Sequence, residues 1–131
     1  MLSGIAGISL ATAPTASAGG YGCNGSLVGS APVYGIENYT NTVVANIYIY
    51  WDGTYNCEVA VKKVFVGSTT RMELTLWSNH GKDIDPGYFS QYAGPVRVVG
   101  TNSCIWEELN MWDASGRIIA QSYTYAKHNC S

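Results

Sequence analysis

Apolar and polar residues alternate with a period of two along most of the chain after residue 40. Between residues 43 and 51 the odd positions are apolar, whereas the even positions include Asn46, Tyr48 and Tyr50. Successive side chains of a strand point to opposite sides, so this segment predicts a strand with one apolar face and one half-polar aromatic face. No long helical pattern of apolar residues is found after residue 20.

Similar alternation predicts further strands, and turn-forming residues separate them. We expect strands over residues 43–51, 55–66, 71–77, 87–92, 95–99, 104–112 and 117–125, with turns at Asp52-Gly53 and at residues 113–116. The pattern slips at Lys62-Lys63, which indicates a bulge or a strand end. Gly94-Pro95 indicates a strand start or an edge strand, because proline lacks the N–H that an interior strand needs. The prediction is an all-β fold, a small antiparallel β-sandwich or barrel-like domain.

The first 18 residues have the character of a signal peptide. An apolar run from Leu2 to about Ala11 precedes Ala16-Ser17-Ala18, and signal peptidase accepts such small residues before its cleavage site. The first basic residue of the chain is Lys62, so the usual basic start is missing. The apolar run is too short for a membrane anchor. We predict a signal peptide at residues 1–18 and a single β domain at 19–131, secreted to the outside of the cell.

Four cysteines fall within the predicted domain: Cys23, Cys57, Cys104 and Cys130. An even number of cysteines in a short exported chain indicates disulfides. Four cysteines allow three pairings, of which we favour Cys23–Cys57 and Cys104–Cys130. Each would stabilise the fold by about 3–4 kcal/mol in the chain-entropy model. Zinc is not expected, because its sites use closely spaced cysteine pairs.

The charge balance excludes some partners. The chain has 7 Lys and Arg against 9 Asp and Glu, so it carries no basic patch that would bind nucleic acid. It also contains 10 tyrosines. Such a chain contacts its partners through amphipathic tyrosine rings rather than through long-range electrostatic attraction.

Four motifs of the chain occur together in a distinctive order. They are an early Cys-x-Gly at residues 23–25, the run Tyr92-Ala93-Gly94-Pro95-Val96, a cysteine followed closely by Trp106, and the ending Asn129-Cys130. In these motifs the chain resembles the spore-associated protein A family of small secreted actinobacterial proteins. The chain departs from that family after its third cysteine, where Trp106-Glu107-Glu108 stands in place of Trp-Gly-Gly. The resemblance implies export and association with the spore or hyphal surface, and it brings no catalytic residues.

Three candidate chemistries were weighed and none is expected. Glu107 and Glu108 are adjacent on a strand and point to opposite faces, so they cannot flank one glycosidic bond, and a solvated strand face is expected. His80 and His128 could serve a ribonuclease, but both lie in stretches typical of surface loops. Asp83 and Asp85, with Asn79, could supply calcium ligands, although the spacing lacks the bidentate Glu of an EF-hand. We therefore expect no enzyme activity, metal or cofactor.

The aromatic residues form the most distinctive pattern. Tyr48 and Tyr50 share one face of a predicted strand and Tyr123 and Tyr125 share one face of another, while Trp77, Trp106 and Trp112 lie near strand ends. Planar rings on a flat sheet stack on sugars or pack against proteins. The alternative is that the rings are half-buried partners in strand pairing.

These patterns predict a secreted, non-enzymatic, spore-associated or cell-surface protein, with spore coat, cell wall or glycan as partners. One alternative is a small carbohydrate- or cell-wall-binding module that uses an aromatic sheet face formed by Tyr48, Tyr50, Tyr123 and Tyr125. Another is a secreted protease inhibitor, for which the segment 78–85 would be the exposed loop.

Overall fold

The computed structural model describes residues 19–124 and 127–131, and these form two antiparallel four-stranded sheets packed together. The predicted signal peptide 1–18 and the residue Tyr125 lie outside the described residues. The strands are β1 Ser26–Tyr34, β2 Val43–Trp51, β3 Tyr55–Lys62, β4 Thr70–Ser78, β5 Gly81–Phe89, β6 Tyr92–Val99, β7 Ile105–Trp112 and β8 Ile118–Tyr123. The prediction of an all-β sandwich is confirmed.

Neighbouring strands are hydrogen-bonded in the order β1-β2-β3-β6 in the first sheet and β5-β4-β7-β8 in the second sheet. The predicted turn at Asp52-Gly53 is confirmed, because the Asp52 carboxylate accepts hydrogen bonds from the N–H groups of Thr54 (2.9 Å) and Tyr55 (2.7 Å). The strand end at Lys62 is also confirmed. Pro95 lies in β6, which is an edge strand as expected.

Several boundaries differ from the sequence-based prediction, and β3 ends at Lys62 rather than at residue 66. β1 was not predicted, because its residues carry no clean alternation and most of them are exposed on the sheet edge. The chain reverses at Ser90-Gln91 rather than at Gly94-Pro95. β5 begins at Gly81, inside the segment 78–85 that was considered as an exposed loop. Gly94-Pro95 lies within β6, at the point where the pairing of β6 with β3 shifts in register between Glu58 and Ala60.

The main core fills the space between the sheets. It is built from the inward-facing apolar side chains of both sheets, among them Ile47, Ile49, Met72, Leu74, Leu76, Val96, Ile105, Leu109 and Met111. Met72, Leu74 and Leu76 of β4 point into this core, and its Arg71 and Glu73 point to the other side. Burial of this kind contributes about 25 cal/mol for each Å² of apolar surface removed from water.

A second, smaller core covers the outer side of the first sheet. It contains Cys23, Tyr50, Cys57 and Val59, and the N-terminal segment 19–25 lies over it. The disulfide Cys23–Cys57 holds that segment in place, with 5.7 Å between the two Cα atoms. Because the apolar face of β3 packs into this second core, its other face, which carries Glu58 and Lys62, faces the main core.

The two sheets meet differently along their two seams. On one seam the carboxylates of β5 bind backbone N–H groups of β6: Asp83 accepts from Arg97 (3.0 Å) and Asp85 accepts from Gly94 (2.8 Å). On the other seam, between β1 and β8, Ile36 donates its N–H to the Ile119 carbonyl (2.8 Å). A cleft of about 280 Å³ opens along this second seam.

Lys62 is buried at the end of the main core and is fully hydrogen-bonded. Its Nζ donates to the carbonyl oxygens of Ser68 (2.7 Å) and Phe89 (2.9 Å) and to the hydroxyl of Thr70 (2.7 Å). Burial lowers the pKa of the Lys62 ammonium. The Lys62 side chain thus holds the loop between β3 and β4 to the end of β5.

Replacing Lys62 by Met should destabilise the fold by about 1–3 kcal/mol, because it removes the three hydrogen bonds that Nζ donates to Ser68, Thr70 and Phe89. Urea unfolding measures the change. Lys63→Met is the matched control, since Lys63 is exposed, and its effect should stay within about 0.5 kcal/mol. Equal effects of the two substitutions would contradict this assignment.

Candidate functional site: an aromatic sheet face backed by a buried carboxyl pair

The outer side of the second sheet carries five aromatic rings, which we call the aromatic face: Trp77, Tyr88, Trp106, Trp112 and Tyr123. Strand pairing places Trp77 opposite Trp106 and Tyr123 opposite Glu108, whereas Tyr88 and Trp112 lie beside Arg71 at the other end of the sheet. The Trp77 and Tyr123 rings meet edge to face at 5.8 Å. The indoles are half-buried, whereas Tyr88 is 70% exposed. The result is a broad, shallow surface of rings.

Polar and charged side chains are interspersed among these rings. Glu73, Glu108 and Asn110 lie between them on β4 and β7, and the Asn110 amide donates to the Glu108 carboxylate at 3.1 Å. Two cations lie over indoles: Arg71 is 4.5 Å from the Trp112 ring centroid and Lys127 is 4.6 Å from that of Trp106. The face therefore offers both stacking surface and hydrogen-bonding groups.

The structure separates the four tyrosines that were predicted to form a binding surface. Tyr48 is half-buried on the outer side of the first sheet, where it stacks on Tyr21 at 5.9 Å. Tyr50 is only 8% exposed beneath the N-terminal segment, and burial raises the pKa of its hydroxyl. Tyr123 lies on the aromatic face of the other sheet, and Tyr125 lies outside the described residues.

Behind the aromatic face, two carboxyl groups meet inside the sandwich. Glu58 on β3 is 0% exposed, and among the described residues neither of its oxygens meets a hydrogen-bond donor. The group that it meets is the carboxyl of Glu107 on β7, which is 6% exposed. Two carboxylates only accept hydrogen bonds, so contact between them requires a proton on one.

The neutral form is favoured at Glu58. Burial raises the pKa of Glu58 well above its usual range, and the negative charge of Glu107 and the hydrogen bond to it raise that pKa further. The strand neighbours of Glu58 are Ile49 on β2 and Val96 on β6, so no basic group offsets the burial there. Burial and the neighbouring carboxyl thus favour the protonated form of Glu58, the form in which it can donate a hydrogen bond to Glu107.

Glu107 also accepts hydrogen bonds from Thr124 and His128. The Thr124 hydroxyl donates to one carboxylate oxygen, and the Nε2 of His128 lies 2.7 and 3.0 Å from the two oxygens. The Nδ1 of His128 faces the side-chain oxygen of Asn129. Both ring nitrogens therefore face acceptors, and both can donate only when the imidazole carries its second proton.

The C-terminal segment, residues 127–131, brings His128 to this position. His128 and Ile105 exchange backbone hydrogen bonds of 2.8 and 3.0 Å, which adds the segment beside β7. The disulfide Cys104–Cys130 ties the segment to the start of the same strand. Both disulfide pairings favoured from the sequence, Cys23–Cys57 and Cys104–Cys130, are confirmed.

This arrangement does not suit glycoside hydrolysis. A glycosidase needs two carboxyl groups about 5–10 Å apart with the sugar between them, whereas Glu58 and Glu107 are in contact and Glu58 is fully enclosed. Glu107, Thr124 and His128 line the cleft between β1 and β8, but Glu58 does not. The two carboxyl groups of Glu58 and Glu107 are placed to hold a proton inside the fold rather than to act on a substrate.

The other residues proposed from the sequence take structural roles. Asp83 and Asp85 bind backbone N–H groups of β6. His80 contacts the Thr101 carbonyl at 2.8 Å and shares no contact with His128 among the described residues. The segment 78–85 is a tight reversal between β4 and β5 rather than a protruding loop.

Two expectations about Glu107 and His128 are wrong. Glu107 was expected on a solvated face but points inward, because it shares the face of β7 with Ile105, Leu109 and Met111. This alternation was visible in the sequence. His128 was expected in a surface loop but is half-buried against Glu107. Glu58 was not considered, and its inward orientation follows only from the cover that the N-terminal segment gives to the opposite face of β3.

Comparison with known proteins adds no relative: no family model, curated protein or solved structure matches the chain. In residues 19–124 and 127–131 there is no helix of the length and apolarity that would cross a bilayer. The same residues contain no cluster of three or more His, Cys, Asp or Glu side chains placed to hold a metal ion.

Glu58 should make the protein less stable as the pH rises. The folded protein keeps a proton that the unfolded chain releases near pH 4.3, so this contribution to stability is complete below that pH and is lost as the pH rises through the elevated pKa of Glu58. Glu58→Gln should remove that dependence and stabilise the fold at pH 8 by about 1–3 kcal/mol. Urea unfolding between pH 4 and pH 8 measures both.

Glu108→Gln is the matched control, because Glu108 is the neighbour of Glu107 on the outer side of the sheet. Its stability should follow the same pH curve as the unchanged protein. A Glu58→Gln protein that still lost stability with rising pH along that curve would contradict the placement of the proton on Glu58.

Proposed function

We propose that this protein is a secreted, non-enzymatic cell-surface protein that attaches to cell-wall polysaccharide through the aromatic face of its second sheet. The observation that carries the proposal is the collection of three indole and two phenol rings on the solvent side of one sheet. The proposal combines the surface role that the family resemblance implies with the carbohydrate-binding alternative. It moves the binding surface from Tyr48 and Tyr50 to the opposite side of the molecule.

The composition of the aromatic face favours a polysaccharide over a protein partner. Sugar rings present apolar C–H faces to aromatic rings and hydroxyl groups to the polar side chains between them. On this face Glu73, Glu108 and Asn110 lie along β4 and β7, between the Trp77–Trp106 pair at one end and Trp112 at the other. A protein interface would be expected to have a more continuous apolar centre.

Two disulfides support a role outside the cell, since disulfides persist in oxidising compartments. The non-enzymatic part of the proposal is supported by the enclosure of Glu58, which keeps one half of the carboxyl pair from any substrate. For the inhibitor alternative, the segment 78–85 offers only a tight reversal between paired strands.

Binding should depend on individual rings of the aromatic face. Trp77→Ala and Trp106→Ala should each weaken binding at least tenfold, about 1.4 kcal/mol, because each removes a stacking platform. Sedimentation with insoluble peptidoglycan, chitin and cellulose over a range of protein concentrations measures the affinity. Circular dichroism of each variant verifies that the fold is intact.

Tyr34→Ala is the matched control: Tyr34 is 56% exposed, but it lies at the end of β1 in the other sheet. Its binding should equal that of the unchanged protein. Full binding by both tryptophan variants, or an equal loss with Tyr34→Ala, would contradict the proposal.

A further inference from the structure

A cavity of about 270 Å³ opens at one end of the aromatic face. Arg71 and Tyr88 lie opposite each other on β4 and β5, and the Arg71 guanidinium lies over the ring of Trp112 on β7. The three side chains therefore form a row across three neighbouring strands. The turn between β7 and β8, residues 113–116, lines the same cavity.

We propose that this cavity binds one neutral sugar unit, which stacks on Tyr88 and exchanges hydrogen bonds with Arg71 and Asp113. The inference rests on the proposed function, because it places one sugar of the bound polysaccharide at this end of the aromatic face. Binding sites for small molecules are concave and combine apolar surface with a few fixed polar groups. Each of the three side chains supplies one of these components.

Tyr88 supplies the stacking surface. Its side chain is 70% exposed, so a ligand in the cavity can lie against the ring. The C–H face of a sugar packs on such a ring. Trp112 has a different part, because it is half-buried and the guanidinium of Arg71 lies 4.5 Å from its ring centroid. The indole thus supports Arg71.

Arg71 supplies hydrogen-bond donors in a fixed position. Its Nη2 is bound to the carboxylate of Glu73, and its guanidinium rests on the Trp112 ring. A guanidinium carries five N–H donors, so the ion pair with Glu73 leaves donors for a ligand. Because two contacts already hold the side chain, binding costs less of its conformational freedom.

Asp113 supplies an acceptor that the turn holds in place. Its Oδ1 accepts hydrogen bonds from the N–H groups of Ser115 and Arg117, both at 2.9 Å, and from the Ser115 hydroxyl at 2.7 Å. All three bonds within the described part of the chain reach Oδ1, so Oδ2 keeps its capacity to accept. The bond from the Ser115 hydroxyl, with that from the Arg117 N–H, lowers the pKa of Asp113. The group therefore stays an acceptor in mildly acidic solution.

The charges around the cavity favour a neutral ligand over an acidic one. Arg71 is already paired with Glu73, and Asp113 adds a further negative charge to the lining. A carboxylate or phosphate on the ligand would be repelled by both acidic groups. A sugar hydroxyl, in contrast, can donate to Asp113 and accept from Arg71.

Titration of the full chain with glucose and with N-acetylglucosamine, followed by nuclear magnetic resonance, tests the site. The indole N–H signal of Trp112, assigned with Trp112→Phe, and the side-chain N–H signals of Arg71 should shift to saturation. Glucuronic acid, the acidic counterpart of glucose, should bind at least about tenfold more weakly than glucose. Absence of a saturable shift with both neutral sugars, or equal or tighter binding of glucuronic acid, would overturn the proposal.

Asp113→Asn tests the acceptor without removing the turn. Asparagine keeps an oxygen for the bonds to residues 115 and 117 and replaces the second oxygen by an NH₂ group, which only donates. The variant should bind the neutral sugar at least about tenfold more weakly. Asp52→Asn is the matched control, because Asp52 holds the equivalent turn between β2 and β3 in the other sheet. Equal affinities of the two variants would overturn the role of Asp113.

Sedimentation with peptidoglycan, chitin and cellulose separates this site from the proposed function. Binding that Trp77→Ala weakens and Asp113→Asn leaves unchanged would support the proposed function and overturn the sugar site. A free sugar that shifts the Trp112 signal to saturation, without sedimentation with any of the three polysaccharides, would support the sugar site and overturn the proposed function.

Discussion

The burial of the carboxyl pair Glu58 and Glu107 is the constraint on which the interior of this sandwich depends. Glu58 has no donor of its own in the described part of the chain, so its burial is tolerated only while it is neutral and donates to Glu107. Glu107 in turn orders Thr124 and His128. Two strands of different sheets and the C-terminal segment are thereby joined through one carboxylate.

The two disulfides make this interior possible. Cys23–Cys57 holds the N-terminal segment over the apolar face of β3, which turns the opposite face, with Glu58 and Lys62, toward the main core. Cys104–Cys130 holds the C-terminal segment beside β7, which brings His128 to Glu107. The first crosslink covers a sheet face with the N-terminal segment, and the second holds the C-terminal segment beside the start of β7.

Much of the architecture could be predicted from the sequence, because period-two alternation and turn residues are local signals. They located β2, β4 and β7 closely, and the cysteine count led to both disulfide pairings. Alternation cannot tell which face of a strand is covered by a distant segment, so Glu58 was overlooked and Tyr50 was assigned to a surface. The aromatic face could be predicted only in part, because it depends on which strands are neighbours.

The most direct test of this account is the ionisation state of Glu58 itself. With glutamate labelled by carbon-13, the side-chain carboxyl signal of Glu58, assigned with Glu58→Gln, can be followed from pH 3 to pH 8. We expect Glu58 to show the signal of a protonated carboxyl at pH values where an unperturbed glutamate is ionised. A Glu58 signal that titrates in the ordinary range of glutamate would contradict the raised pKa of the buried pair.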